Sequence, residues 1–328
     1  MTRSRGSGVG DKISEVGDHS RSLPYAVHVT PESAEPGESP EPLERQLSPA
    51  QLAGRAAAAV AVVEAALTAA PDPTDAAFFD IDNTVVRGAS IFYLAMGLAR
   101  RKFFTTRDVA GFVSSQVKFR VLGAEDLGDM ADATEMALGF VKGHEVAEVV
   151  AIGREIFDEA IAAKVYPGTL AQARAHLDRG QRVWLVSAAP VELATIIARR
   201  LGLTGALGTV SEIEYGVYTG RLVGRPLHGA AKAEAIKALA EREGLDLARC
   251  SAYSDSSNDI PMLSLVGDPC AINPDAQLRR HARDVGWRIQ DYRTGRKAAK
   301  IGAPVVGGVG AVAAIAAVAV ALDRRRRA

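Results

Sequence analysis

Apolar and polar positions along this chain change between two periods. Short apolar runs recur at Ala77–Ile81, Val183–Ser187, Leu207–Val210, Ser251–Ser254, Cys270–Ile272 and Trp287–Ile289, and runs of this length read as buried strands. Segments with helical spacing lie between several of them, among them Leu170–Asp178, Val191–Leu201 and Lys232–Glu243. Strands that alternate with helices predict an α/β fold: a mainly parallel sheet covered on both faces.

One stretch departs from the alternation. Residues 88–165 hold no convincing strand and show helical patterns, for example Val109, Phe112, Val113 and Val117. An all-helical insertion directly after the first strand is expected to act as a lid over a reaction that excludes water. Inside it, Phe103 and Phe104 are expected as core aromatics beside the solvated Arg100, Arg101 and Lys102. Glu212–Val223 reads as a hairpin or β-flap, with two β-rich runs around Gly216 and Gly220.

The flanks differ from the centre. Residues 1–48 are rich in Ser, Gly, Pro and Glu and cannot bury enough apolar surface to offset the entropy of ordering, so a disordered tail is expected. The Ala-rich stretch over 49–71 predicts a helix that begins at Ser48-Pro49 and is closed by Pro71 and Pro73. At the far end, Ile301–Leu322 contains 22 uncharged residues flanked by Lys297, Lys300 and Arg324–Arg327. A helix of that length reaches about 33 Å, enough for a bilayer core of about 30 Å. Its Ala, Gly and Pro content weakens the signal, and a surface-lying or disordered tail is the alternative to a transmembrane helix.

Composition narrows the field further. Lys plus Arg and Asp plus Glu both total 39, so no net field favours nucleic acid. The two cysteines, Cys250 and Cys270, lie in apolar runs and read as buried thiols in a reducing compartment. The six histidines are scattered, without zinc-ligand spacing. No apolar run begins near Met1, so the catalytic part is expected in the cytoplasm, attached to the cell membrane by the C-terminal segment.

Four strand-end elements carry candidate chemistry. In FFDIDNTVV, Asp80 and Asp82 follow the first strand at i and i+2, facing one side of extended chain as nucleophile and proton shuttle would; alone, this is a polar loop. In VWLVSAAP, Ser187 and the neighbouring backbone N–H groups suit a phosphoryl oxygen, or Ser187 caps the next helix. Lys232 opens a helix, where it could neutralise phosphate or simply be solvated. In AYSDSSNDIPML, Asp255, Asn258 and Asp259 offer hard oxygen ligands suited to magnesium, or cap a helix. Four such elements in one order on one sheet are far less expected by chance than any one of them.

In these motifs the sequence resembles the haloacid dehalogenase superfamily, in its phosphoserine-phosphatase-like branch, over residues 76–292. The resemblance implies a Rossmann-like core (76–87 and 166–298) with a helical cap (88–165) inserted after the first motif. It implies that Asp80 attacks phosphorus and that Asp82 protonates the leaving oxygen and then activates water. Ser187, Ala188 and Lys232 would bind phosphate. Asp255 would hold Mg2+ together with the Asp80 carboxylate and the Asp82 carbonyl, while Asn258 and Asp259 would order the surroundings. The departures concern the substrate. Phosphoserine phosphatases carry Glu nine residues after the nucleophile, where this chain has Ala89, and Ala188-Ala189 stands in place of Gly-Gly. The expected substrate is therefore a small organic phosphate, phosphoserine-like or a lipid or head-group phosphate. A phosphotransferase with the same intermediate, or a non-catalytic membrane-tethered regulator, are the alternatives.

Overall fold

The computed structural model describes residues 48–61, 74–103 and 141–293. Six parallel strands form the sheet: β1 (Ala76–Phe79), β2 (Arg182–Pro190), β3 (Gly205–Thr209), β6 (Ser251–Ser254), β7 (Asp268–Ile272) and β8 (Arg288–Gln290). All six runs read from the sequence are strands, with ends shifted by up to three residues. Their order is β3-β2-β1-β6-β7-β8, so the chain steps outward one way from β1 and then returns to step the other way from β6. The C-terminal ends of β1 and β6 flank this reversal, where open α/β sheets place their ligands.

Side-chain alternation along the strands builds two cores, one on each face. Phe79, Val183 and Leu185 join the first, and Phe78, Trp184 and Val186 the second. Helix α5 (Val191–Leu201) contributes Ile196 and Ile197 to the first core. Helix α6 (Ala230–Glu243) contributes Ile236 and Leu239 to the second.

The insertion after β1 leaves and returns through one neck. Helix α2 (Ser90–Arg100) starts it, and α3 (Val146–Ile156) continues through a wide turn, Phe157–Ile161, and a tight one, Ala162–Lys164. Val86 then pairs with Val165 across the neck. The elements described between are helices joined by turns, with Glu145 bridged to Val217 of the hairpin, whereas residues 104–140, with Val109, Phe112, Val113 and Val117, lie outside the described residues. Phe103 stacks on His144 with ring centroids 4.0 Å apart, and Arg101 pairs with Glu155 at 3.0 Å and Glu159 at 2.6 Å. Arg101 is thus tied to the cap stem rather than only solvated. Strands β4 (Ser211–Glu214) and β5 (Val217–Leu222) form the expected hairpin. Its turn uses positive φ at Tyr215 and Gly216, a combination that matches strand twist. The hairpin leans on the cap, since the Gly216 carbonyl accepts from Val146 N–H at 2.9 Å.

Helix α1 (Pro49–Val60) starts as the sequence predicts, with Ser48 and Gln51 forming a reciprocal cap and Pro49 in the first turn. It ends earlier than the expected 71. Ala61 is extended, and the carbonyls of Ala58 and Ala61 accept from the Arg242 guanidinium of α6, which closes the helix end. Gly54 lies so close to α6 that a Cβ there would stand 2.6 Å from the Ala235 nitrogen. Residues 1–47 and 62–73 and the segment 301–322 lie outside the described residues. Among the described residues no helix is long and apolar enough to cross a membrane. Cys250 and Cys270 are buried free thiols, both pushed up to about 11 by burial.

Because backbone cannot yield as a flexible side chain does, Gly54→Val should separate α1 from α6 and cost about 1–3 kcal/mol. Chemical denaturation should show a lower midpoint, and an unchanged midpoint would contradict this packing.

Candidate active site

The C-terminal edge of the sheet gathers the four motifs. Phe79 pairs with Leu185 on one side and Tyr253 on the other, so Asp80, one residue further, emerges between the ends of β2 and β6. The residue is 5% exposed. Lys232, in the first turn of α6 and 3% exposed, donates from Nζ to Asp80 Oδ1 at 2.5 Å and to Asp259 Oδ2 at 2.7 Å. Asp259 is held a second time, because Ser254 Oγ donates to the same Oδ2 at 2.7 Å. Lysine at this helix start is therefore buried and doubly paired, not solvated.

Asp82 turns back toward the cap. Its Oδ1 accepts from the Ser90 backbone N–H at 2.8 Å, so the first residue of α2 orients the second carboxylate. Asp255 stands after β6, with its carbonyl accepting from Asp275 N–H at 2.8 Å. Asp275 also caps the next helix, α8 (Ala276–Asp284), and accepts from Ser257 N–H at 2.7 Å, fixing the loop. Ser187 is buried at the end of β2, where its Oγ accepts from Ala189 N–H at 3.1 Å. It does not cap α5, whose N-cap is Pro190 without a side-chain bond. The carbonyl of Ala188 accepts from Thr209 Oγ1 at 2.7 Å. Asn258 is exposed, and its N–H is taken by Ser256 Oγ. The structure thus joins Asp80, Lys232 and Asp259 directly and sets Asp82, Asp255 and Ser187 around them, with Asn258 on the outer side of the loop.

Electrostatics follow from four carboxyls around one ammonium. Burial pushes Asp80 up to about 7; Lys232 pulls it down, and Asp259 and Asp82 add to the rise. Asp255 is pushed up to about 8, first by burial and then by the charges of Asp80 and Asp259. Asp82 is also raised by burial, against the bonds from Ser90. Burial disfavours the Lys232 charge, yet Asp259 and Asp80 more than offset it, and the ammonium stays protonated.

That surplus of negative charge is the feature a divalent cation would relieve. Among the described residues no three acidic, His or Cys side chains converge closely enough to hold a metal alone. Magnesium does not require that, because it takes one or two carboxylates and keeps several waters. The donor set therefore fits.

Four residues given no role in the sequence reading are brought in by the structure: Ser254 on Asp259, Ser90 on Asp82, Asp275 under the Asp255 loop, and Asn273, whose Nδ2 donates to the Asn83 carbonyl at 2.9 Å. Ser254 ends β6 as Ser187 ends its own apolar run, and that parallel was the available signal. The others act from distant elements and leave no local pattern.

A family model for the haloacid dehalogenase-like hydrolases matches residues 77–264. The chain is 59% identical to a Mycobacterium tuberculosis protein named phosphoserine phosphatase SerB1, over 71% of this chain and 76% of that one. It is 56% identical to a putative hydrolase of Mycobacterium leprae, over 78% and 83%. Among solved structures, a Bordetella pertussis protein of unknown function matches with a TM-score of 0.59 and 29% identity, covering 67% of this chain and 99% of that one.

The raised carboxyls predict how metal-free protein responds to pH. Unfolded Asp80 and Asp255 release protons near 3.8, whereas in the fold they hold them to about 7 and about 8. The native state binds more protons across that window, so stability falls as pH rises through it and levels off above. Melting in chelator should therefore drop between pH 5 and 8, and magnesium should restore most of the loss at pH 8. A melting temperature that climbs with pH in chelator would contradict the arrangement.

Proposed function

The chain belongs to the haloacid dehalogenase-like hydrolases as a phosphatase, and we propose that it cleaves small organic phosphate monoesters through a phosphoaspartyl intermediate on Asp80, with magnesium as its metal. The observation that carries this reading is the buried Lys232 ammonium bridging Asp80 and Asp259 beneath two further carboxyls. Such an arrangement is costly as structure alone, because burying carboxylates without matching cations disfavours folding. It suits a nucleophile that must meet an anion. The names of the relatives support the substrate class: one is a phosphoserine phosphatase, and a Neisseria meningitidis relative, 26% identical, is named histidinol-phosphatase.

In this reading Lys232 occupies Asp80 Oδ1 and leaves the other oxygen free to attack. That oxygen bonds to phosphorus as the ester P–O bond breaks. The leaving alkoxide takes a proton from the Asp82 carboxyl, whose proton affinity burial raises. Asp82, now a carboxylate held by Ser90 N–H, accepts a proton from water; the hydroxide attacks phosphorus, the Asp80–phosphate bond breaks, and inorganic phosphate leaves. Magnesium, when bound by the Asp80 and Asp255 carboxylates and the Asp82 carbonyl, supplies charge neutralisation for the phosphoryl oxygens. Ser187 and the backbone at Ala188 would bind the phosphoryl group beside Lys232, and Asn258 and Asp259 would order the metal's surroundings. The cap neck at Val86 and Val165 stands over this edge and would exclude water. The same reading takes the catalytic domain as cytoplasmic, with the apolar segment 301–322 as its membrane attachment.

Full-length protein should hydrolyse an aryl phosphate in magnesium and not in chelator. Asp80→Asn should abolish turnover, a loss of at least about 10³-fold, whereas Asp82→Asn should slow it and allow the phosphoenzyme to accumulate. Sustained turnover by Asp80→Asn would reject the nucleophile. Full-length protein should also sediment with membranes and a truncation before Ile301 should not; full-length protein wholly in the soluble fraction would remove the anchor.

A further inference from the structure

The loop between β1 and the cap carries a cation that the chemistry above does not use. Arg87 lies one residue beyond Val86, which bridges to Asp82 across the first motif. Its backbone is fixed from both sides: Arg87 N–H donates to the Lys164 carbonyl at 2.9 Å, and its carbonyl accepts from Tyr93 Oη at 2.7 Å. Gly88 follows with φ of 85°, its N–H on Asn83 Oδ1 at 3.0 Å, and a Cβ there would stand 2.7 Å from Tyr93 Oη. Only glycine closes this turn without strain.

The Arg87 side chain is exposed, and its guanidinium carbon lies 5.6 Å from the centre of the buried Tyr166 ring. Stacking of this kind holds a guanidinium in place while leaving its N–H edge free for a planar anion. Among the described residues Arg87 has no carboxylate partner. The other arginine of this region, Arg293, senses Tyr166 and Asp255 but donates from Nε to Asp291 Oδ1 at 2.8 Å, so its charge is spent. Tyr93, which holds the Arg87 carbonyl, belongs to the helix whose first residue, Ser90, donates its N–H to Asp82, so the arginine turn and the second carboxylate are fixed by one element. Position 89, beside this arginine, is alanine and offers no acid to an ammonium group.

We propose that Arg87, stacked on Tyr166 at the neck of the cap, is a specificity-determining residue that selects phosphate monoesters carrying a second anionic group, a carboxylate or another phosphate. This rests on the phosphatase reading and extends it to the substrate class. Such an ester places its reacting phosphate at Asp80 and its second anion on the Arg87 guanidinium.

The test compares full-length wild type, Arg87→Gln and Arg87→Lys on 2-phosphoglycerate, a sugar bisphosphate, phosphoethanolamine and glycerol 2-phosphate. Both kcat/KM and calorimetric affinity are measured, so the ranking is read even without turnover. Wild type should favour one or both of the doubly anionic esters over glycerol 2-phosphate by about tenfold or more, the size of a charge-assisted hydrogen bond, and phosphoethanolamine should rank last. Which of the two anionic esters leads distinguishes carboxylate from phosphate. Arg87→Gln should collapse the preference through KM, and Arg87→Lys should retain part of it. An unchanged ranking in Arg87→Gln, a wild-type preference for phosphoethanolamine, or an equal loss on all four esters with a lowered melting temperature would overturn the assignment. Absence of turnover by wild type on every ester would instead sink the phosphatase reading, with the affinities still deciding the role of Arg87.

Discussion

A lysine ammonium shared between two buried carboxylates is the constraint around which the rest of the molecule is arranged. Lys232 reaches Asp80 from α6 and Asp259 from the loop after β6, tying three distant segments at one point. Removing the ammonium would leave buried carboxylates without a counter-charge, which costs more than the intact pair contributes. The same cluster is under-neutralised by design of its composition, with Asp82 and Asp255 standing close by and raised by burial. A centre with surplus negative charge, held in place by Lys232, Ser254 and Ser90, is suited to bind a cation and an anionic ester together.

The sheet makes that meeting possible. Because β1 lies between β2 and β6, the first, second and fourth motifs end on adjacent strands, and helix α6 brings the third across the same edge. Charges at the opposite edge serve a different purpose. Arg249 pairs with Asp75 at 2.9 Å and Arg182 with Glu243 at 2.7 Å, joining strand starts to neighbouring helix ends. Those pairs balance their charges, in contrast to the catalytic edge.

The inserted segment leaves and returns through a neck next to Asp82, where Val86 bridges to both Asp82 and Val165. Ser90, the first residue of the cap helix, donates to Asp82, and the turn before it carries Arg87. A shift of this helix would therefore move both the Asp82 carboxylate and the stacked Arg87 guanidinium. Helix α1 acts from the other face, where close packing at Gly54 and the bonds from Arg242 brace α6, the element that delivers Lys232.

Periodicity was enough to read the six strands and the hairpin, and strand-end chemistry to single out Asp80, Asp82, Ser187, Lys232, Asp255 and Asp259 as candidates, because each signal is local: buried strands show as apolar runs, and motif residues sit at fixed offsets from them. The end of α1 was not legible, since Arg242, remote in sequence, closes it. Nor was the role of Ser187 within its own loop, where its hydroxyl binds Ala189 rather than capping α5. Only the tertiary structure decided that Lys232 is buried and doubly paired, that Ser254, Ser90 and Asp275 hold the acids, and that Arg87 stacks on Tyr166. Each of those facts depends on contacts between segments far apart along the chain, and a linear pattern carries no record of which distant groups share a low-dielectric site.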